Sequence, residues 1–156
     1  MCDVLPDRVD AACAEWDVAV VAPQLAYAVT CDIYAPCALG GVIRHEIIDD
    51  LGAKAIAGSA NNVLASAACG EELFRRGVLY APDFVINSGG LVHGALFHIE
   101  GKSPTPARVE AIGEQLVEIF AQSSASGVPP EVVAEGIARE RLSQASDSPF
   151  FPGRKE

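Results

Sequence analysis

The sequence predicts an α/β fold whose sheet is mainly parallel, and three observations predict it. Short runs of β-branched and aromatic residues take turns with stretches of helical spacing, the order expected of crossover units. Half of the 156 residues are hydrophobic while only 6% are aromatic, and 14 Gly and 10 Pro punctuate the chain, a profile common in layered α/β proteins. The length suits a single core, because a chain of this size seldom supports two complete domains.

The elements follow in order. Residues 1–4 read as the end of a strand, and Pro6 opens a helix whose apolar positions Val9, Ala12, Cys13 and Trp16 fall at helical spacing. Ala19, Val20 and Val21 form a short strand before a Pro-containing connection, and residues 31–35 read as a buried strand running into the turn 36–41. Ile47, Ile48 and Leu51 make a helical face that ends at Gly52, after which residues 53–57 are a strand stopping at Gly58 and Ser59. Residues 62–76 carry helix-forming Ala, Glu and Leu with Gly77 as C-cap, and residues 84–87 are a further strand leading into Gly89 and Gly90. Thr105 and Pro106 offer an N-cap and a first-turn Pro before the stripe Val109, Ile112, Leu116, Ile119 and Phe120. Residues 123–130 are a polar connection, and Val132, Val133, Ile137 and Leu142 support a last helix. A domain over residues 1–146 with a flexible tail over 147–156 is the expectation.

Charge and cysteine usage narrow the function. A formal charge of −10 repels phosphate backbones, which disfavours nucleic acid as a partner. No apolar run approaches the roughly 20 residues of a membrane-spanning helix, and the first residues lack the pattern of a secretory signal, so a cytoplasmic location is expected. Five cysteines without CxxC spacing argue against a disulfide framework or a tetrahedral zinc site. Cys31, Cys37 and His45 could meet at a metal, but packed free thiols are the simpler expectation, and no metal is assigned.

The three expected strands at 31–35, 53–57 and 84–87 all run into glycine. In open α/β sheets a ligand lies beyond the carboxyl ends of the strands, where Gly lets backbone amides approach it. Simple turn chemistry explains any one such loop, yet three loops that carry Asn, Ser or Pro-Cys beside the glycine point to a lined cleft.

Three segments can be read together: Cys-Asp-Ile-Tyr-Ala-Pro-Cys-Ala-Leu-Gly-Gly over 31–41, Ala-Ile-Ala-Gly-Ser-Ala-Asn-Asn over 55–62, and Tyr-Ala-Pro-Asp-Phe-Val-Ile-Asn-Ser-Gly-Gly over 80–90. In this order and at this spacing they closely resemble the cofactor domain of the glutamate/leucine/phenylalanine/valine dehydrogenases, the leucine, phenylalanine and valine branch above all. The resemblance extends to about Leu142. It implies a partial Rossmann-like, doubly wound sheet with C-terminal helices, and oxidative deamination of a hydrophobic L-amino acid to a 2-oxo acid and ammonia with hydride passing to NAD.

The resemblance also implies site residues. The loop Pro36, Cys37, Ala38, Leu39 and Gly40 runs alongside the cofactor, and Asn61 and Asn62 sit where nicotinamide meets substrate. An amide suits that place because it donates and accepts without adding charge. Asp3 matches the acidic residue that accepts from the adenosine ribose hydroxyls and repels a 2′-phosphate, which would favour NAD over NADP, although a solvated chain-end Asp is an equal alternative. Leu91 and Gly94 match positions lining the side-chain pocket, Gly94 also being readable as a packing glycine, and His93 is a polar group at the pocket rim.

Two features of the family are not found. No GxGxxG turn occurs to hold the pyrophosphate, and Lys54, Lys102 and Lys155 stand in none of the contexts of the family's catalytic lysines, so no catalytic residue is assigned. Both features would lie upstream of Met1. An incomplete cofactor domain, inactive unless a complementing N-terminal segment is supplied, is therefore expected. A non-catalytic Rossmann-like binding module, or a relic of a shortened dehydrogenase, is the alternative. Family members are usually homo-oligomers, which makes self-association an expectation too.

Overall fold

β1 (Cys31–Tyr34), β2 (Ala53–Ile56) and β3 (Leu79–Tyr80) form a parallel sheet in the order β1-β2-β3. The computed structural model describes residues 1–101 and 106–145. Tyr34, Ile56 and Tyr80 stand in register across the three strands, and strand alternation puts them on one face. Against that face pack Ile43, Ile47, Ile48, Val63, Cys69 and Leu73, the core of the molecule. Ile43, Cys69 and Leu73 are completely inaccessible, and burying an aliphatic side chain of this size contributes about 1.5–3 kcal/mol. The α/β class and the parallel sheet are thus as expected.

Parallel neighbours need crossovers, and α2 (His45–Ile48) and α3 (Ala67–Arg75) supply them. α3 begins later than the Ala-rich composition suggests. Asn62 takes a left-handed φ of 53°, and Leu64 bridges Ile43, with Ile43 N–H donating to Val63 O (3.1 Å) and Ala65 N–H to Ile43 O (2.9 Å). Backbone groups committed to that bridge cannot enter a helix. The end of α3 is as expected: Gly77 takes φ 74°, while Val78 N–H reaches Leu73 O and Gly77 N–H reaches Phe74 O, the paired bonds of a Schellman cap.

The expected strand over 84–87 is instead helical. α4 (Asp83–Ile86) follows Pro82, whose carbonyl accepts from both Val85 N–H and Ile86 N–H at 3.0 Å. The third strand is the shorter Leu79–Tyr80, and Gly89 and Gly90 lie inside α5 (Ser88–Glu100) rather than in a turn. The third glycine-bearing strand tip is therefore withdrawn, and two remain.

α6 (Pro106–Ser126) packs on α7 (Pro130–Ala145) and also covers α4 and α5. α6 runs through the polar residues expected to form a loop. Ser123 Oγ donates to Val128 O, and Gly127, at φ 69°, closes the helix onto Ser123 O. The expected Thr105 cap and the tail over 147–156 lie outside the described residues.

At the other end, α1 (Pro6–Glu15) forms as expected but buries none of its residues. Residues 1–4 and 19–21 are not strands, although Val21 N–H donates to Met1 O (3.0 Å) and the terminal ammonium reaches Ala19 O. A 3-10 helix over Pro23–Ala28 carries the chain to β1. Among the described residues no helix is long and apolar enough to cross a membrane.

Candidate functional site

Both remaining glycine-bearing tips leave the same edge of the sheet, because the strands are parallel. The chain leaving β1 meets the chain leaving β2 backbone to backbone. Ala57 N–H donates to Tyr34 O (3.1 Å) and Ala60 N–H to the carbonyl of buried Pro36 (2.9 Å). A Cβ at Gly58 would lie 2.1 Å from Pro36 O, so only glycine permits the approach. Gly40 has the same relation to the second loop, a Cβ there falling 2.5 Å from Asn61 O, and Gly41 N–H donates to Asn62 O (2.7 Å). Pro36, Gly40, Asn61 and Asn62 are thus one construction.

A third segment joins from the α4–α5 junction. Asn87 Nδ2 donates to Ala60 O (2.8 Å) and to Asn61 Oδ1 (3.3 Å), which occupies the oxygen of the Asn61 amide and leaves its Nδ2 to donate outward. Asn61 and Asn62 are exposed, so both amides are open to a ligand. Beneath them the buried Asp83 carboxylate accepts Val63 N–H at 2.6 Å, and Tyr80 OH accepts Asp83 N–H at 3.3 Å. That bond fixes the chain immediately after Asn62. Burial holds the Tyr80 hydroxyl well above the usual tyrosine range, so it stays protonated.

Beside this construction lies a cavity of about 240 Å³ lined by Asp3, Arg8, Tyr34, Pro36, Cys37 and Leu39, among others. Asp3, far from the loop in sequence, therefore shares a surface with it. Asp3 Oδ1 accepts Leu5 N–H (2.9 Å), and Oδ2 stands 3.9 Å from Arg8 Nη1. Cys37, Ala38 and Leu39 are exposed, Leu39 to 79%. Burial, and Cys2 next, raise the Tyr34 hydroxyl above its ordinary value.

Leu91 and Gly94 lie on the first two turns of α5, Leu91 76% exposed and Gly94 with open space around its Cα. α5 packs chiefly on α6 and α4, and His93 is exposed on it. The five cysteines are all free, and no cluster of three metal-ligating side chains occurs among the described residues. Lys54 pairs with Asp32 at 2.8 Å on a surface where both side chains are more than 80% exposed, the geometry of a solvated ion pair.

Sequence reasoning missed two groups. Asn87 was expected only as a strand end, and an isolated Asn there carries no signal. Glu131, in the first turn of α7, is 9% exposed, its carboxylate oxygens have no hydrogen-bond partner among the described residues, and one lies against Gly70 on α3. Burial foremost, then Glu135 and Glu71, raise its carboxyl above the ordinary value.

Loops at the carboxyl ends of parallel strands, apposed through glycine and edged by amides, are the arrangement that open α/β sheets use for ligand sites. Residues 8–130 match the model of the Glutamate/Leucine/Phenylalanine/Valine dehydrogenase family, and the chain belongs to that family. It is 37% identical over 147 residues to leucine dehydrogenase of Bacillus cereus, covering 94% of this chain and 40% of that protein. To valine dehydrogenase of Streptomyces albus it is 41% identical over 115 residues, covering 73% of this chain and 32% of the relative. The crystal structure of L-tryptophan dehydrogenase from Nostoc punctiforme superimposes with a TM-score of 0.83 at 34% identity, covering 94% of this chain and 45% of that one. The chain thus spans less than half the length of these relatives.

Proposed function

We propose that this chain is the C-terminal, cofactor-binding portion of an NAD-dependent dehydrogenase acting on a hydrophobic L-amino acid. The observation that carries the reading is the backbone contact of the Pro36–Gly40 loop with the Gly58–Asn62 loop, capped by the Asn61–Asn87 amide pair. Its relatives named for leucine, valine and tryptophan dehydrogenation support the reaction class.

In this reading Asp3 accepts from the adenosine ribose, and residues Pro36, Cys37, Ala38, Leu39 and Gly40 form the wall along which the dinucleotide lies. Asn61, its oxygen held by Asn87, donates from Nδ2 toward the nicotinamide end, and Asn62 faces the substrate. Leu91 and Gly94 line the side-chain pocket from α5. The bound nicotinamide supplies the hydride acceptor; this chain supplies position and a directional donor. The residues present fit the ribose and nicotinamide ends of such a cofactor, while no GxGxxG turn is present for the pyrophosphate. No lysine stands among the site residues to activate water or amine. Isolated turnover is therefore expected to be absent until a complementing segment supplies those groups.

A chimera tests the proposal: the 147-residue span of the Bacillus cereus leucine dehydrogenase is replaced by this chain. Formation of NADH from leucine, valine or phenylalanine by the chimera, and none by the isolated chain, is the expected result. A folded chimera without turnover contradicts it. A second reading, as a non-catalytic assembly module, is favoured by the outer edge of β1, where Ile33 is 59% exposed and no strand pairs among the described residues; it expects that same folded, inactive chimera.

A further inference from the structure

Between α4, α6 and α7 lies a second cavity, of about 180 Å³, lined by Phe84, Ser88, Glu118, Ile119, Ile137 and Arg141, among others. We infer that this cleft is a binding site for a small zwitterion with an apolar chain, a free amino acid of aliphatic side chain. It shares no residue with the Pro36–Gly40 loop, the Asn pair, Leu91 or Gly94, and it stands whether or not those residues serve a dehydrogenase.

Helical spacing builds the cleft. Ala134, Ile137, Ala138 and Arg141 follow one another on α7 at steps of three and four residues, as do Gln115, Glu118 and Ile119 on α6. Each helix therefore brings apolar and charged side chains to the same wall. Ile119 and Ala134 are 4% exposed, whereas Phe84 across from them is left 48% exposed and open to contact. The volume is below the roughly 300–1,000 Å³ of pockets for drug-sized ligands, which restricts the occupant to a small molecule.

Two opposite charges border this apolar space without meeting. Among the described residues Arg141 makes no hydrogen bond or ion pair, and Glu118 accepts only from Gln122 Nε2, at 3.1 Å on Oε1, which leaves Oε2 open. The nearby charges on α7, Glu135 and Arg139, are paired with each other at 3.4 Å. A simple carboxylate would satisfy Arg141 and be repelled by Glu118, and a simple ammonium the reverse. A molecule that carries both charges answers both. The guanidinium presents the planar fork that a carboxylate takes in two bonds. For the ammonium, Glu118 Oε2 accepts, as does Ser88 Oγ, whose own proton is given to Val85 O at 2.7 Å. The aliphatic chain then covers Phe84, Ile119 and Ile137.

The test titrates the isotope-labelled full chain with L-isoleucine and follows amide shifts by NMR. Shifts at Ser88, Ile119 and Ile137 that saturate with a Kd of about 1 mM are expected. Isoleucinamide, which lacks the carboxylate, and N-acetylisoleucine, which lacks the ammonium, should each bind about tenfold more weakly, the loss of one charge-assisted contact. Arg141→Gln should weaken isoleucine by about tenfold and leave isoleucinamide unchanged, while Glu118→Gln should do the same for isoleucine and leave N-acetylisoleucine unchanged. Both side chains are exposed, so the variants retain the fold. Absence of shifts at the three amides, equal binding of isoleucine and N-acetylisoleucine, or indifference of isoleucine to both substitutions overturns the inference. Shifts confined to Asn62 and Gly94 overturn it too, while supporting the substrate-facing roles proposed for those two residues.

Discussion

Gly58→Ala is the substitution on which the geometry of the site speaks most directly. Its Cβ would stand 2.1 Å from Pro36 O, 2.6 Å from Pro36 N and 2.8 Å from Pro36 C, all backbone atoms that no rotamer change can move. The two loops must separate by roughly 1 Å, in a region packed to crystal-like density. Overpacking of this kind costs typically 1–3 kcal/mol and here should reach about 3, because the obstacle is rigid. Separation also strains the Ala60 N–H to Pro36 O bond, worth about 1 kcal/mol more. A loss of about 3–4 kcal/mol corresponds to a fall in Tm of roughly 6–16 °C for a domain of this size. Urea unfolding followed by circular dichroism measures it. Gly94→Ala is the control: nothing lies within 4 Å of its Cβ, and helical Gly to Ala should stabilise by about 0.5–1 kcal/mol. A Gly58→Ala variant within about 0.5 kcal/mol of the natural chain would refute the apposition of the two loops.

Three further outcomes follow from named contacts. Asp83→Ala should destabilise by about 2–3 kcal/mol, because Val63 N–H loses a buried charged acceptor; urea unfolding within about 0.5 kcal/mol of the natural chain would count against that bond. Asn87→Ala, built in the chimera, should lower kcat more than it raises KM by freeing the Asn61 amide, whereas a change in KM alone would mean that Asn87 does not position it. Glu131 gives a pH dependence: its folded carboxyl is raised above the unfolded value near 4.5, so the native state holds the proton longer than the unfolded one. Its stabilising contribution is present below that pH and is lost as pH rises from about 4.5 through the folded value. Glu131→Gln should flatten the slope; a natural chain that gains stability relative to Glu131→Gln over that interval would contradict the burial of an unpartnered acid.

What the sequence disclosed depended on how local each signal was. The Gly77 cap was readable because all of its partners lie within a few residues, as were β1 and β2, short β-forming runs closed by glycine. Phe84, Val85 and Ile86 have strand propensity, yet two of their amides bond to Pro82 O, and helix wins over composition. The residues from Asn62 to Ser66 suit a helix, but Leu64 is claimed by Ile43, a pairing with no local trace. The site was legible in part for the same reason. Gly40, Gly58 and the paired Asn residues sit in short motifs, while Asn87 and Glu131 acquire their surroundings only when distant elements meet.

In the function proposed above, the Pro36–Gly40 loop, the Asn pair and Asn87 make one face of a nicotinamide site. Titration of the isotope-labelled chain with NADH, read amide by amide, addresses it most directly. Shifts are expected to concentrate at Gly40, Asn61, Asn62 and the Asn87 side-chain amide. Shifts confined to the surface between α6 and α7, or absent from all four positions at saturating nucleotide, would contradict it.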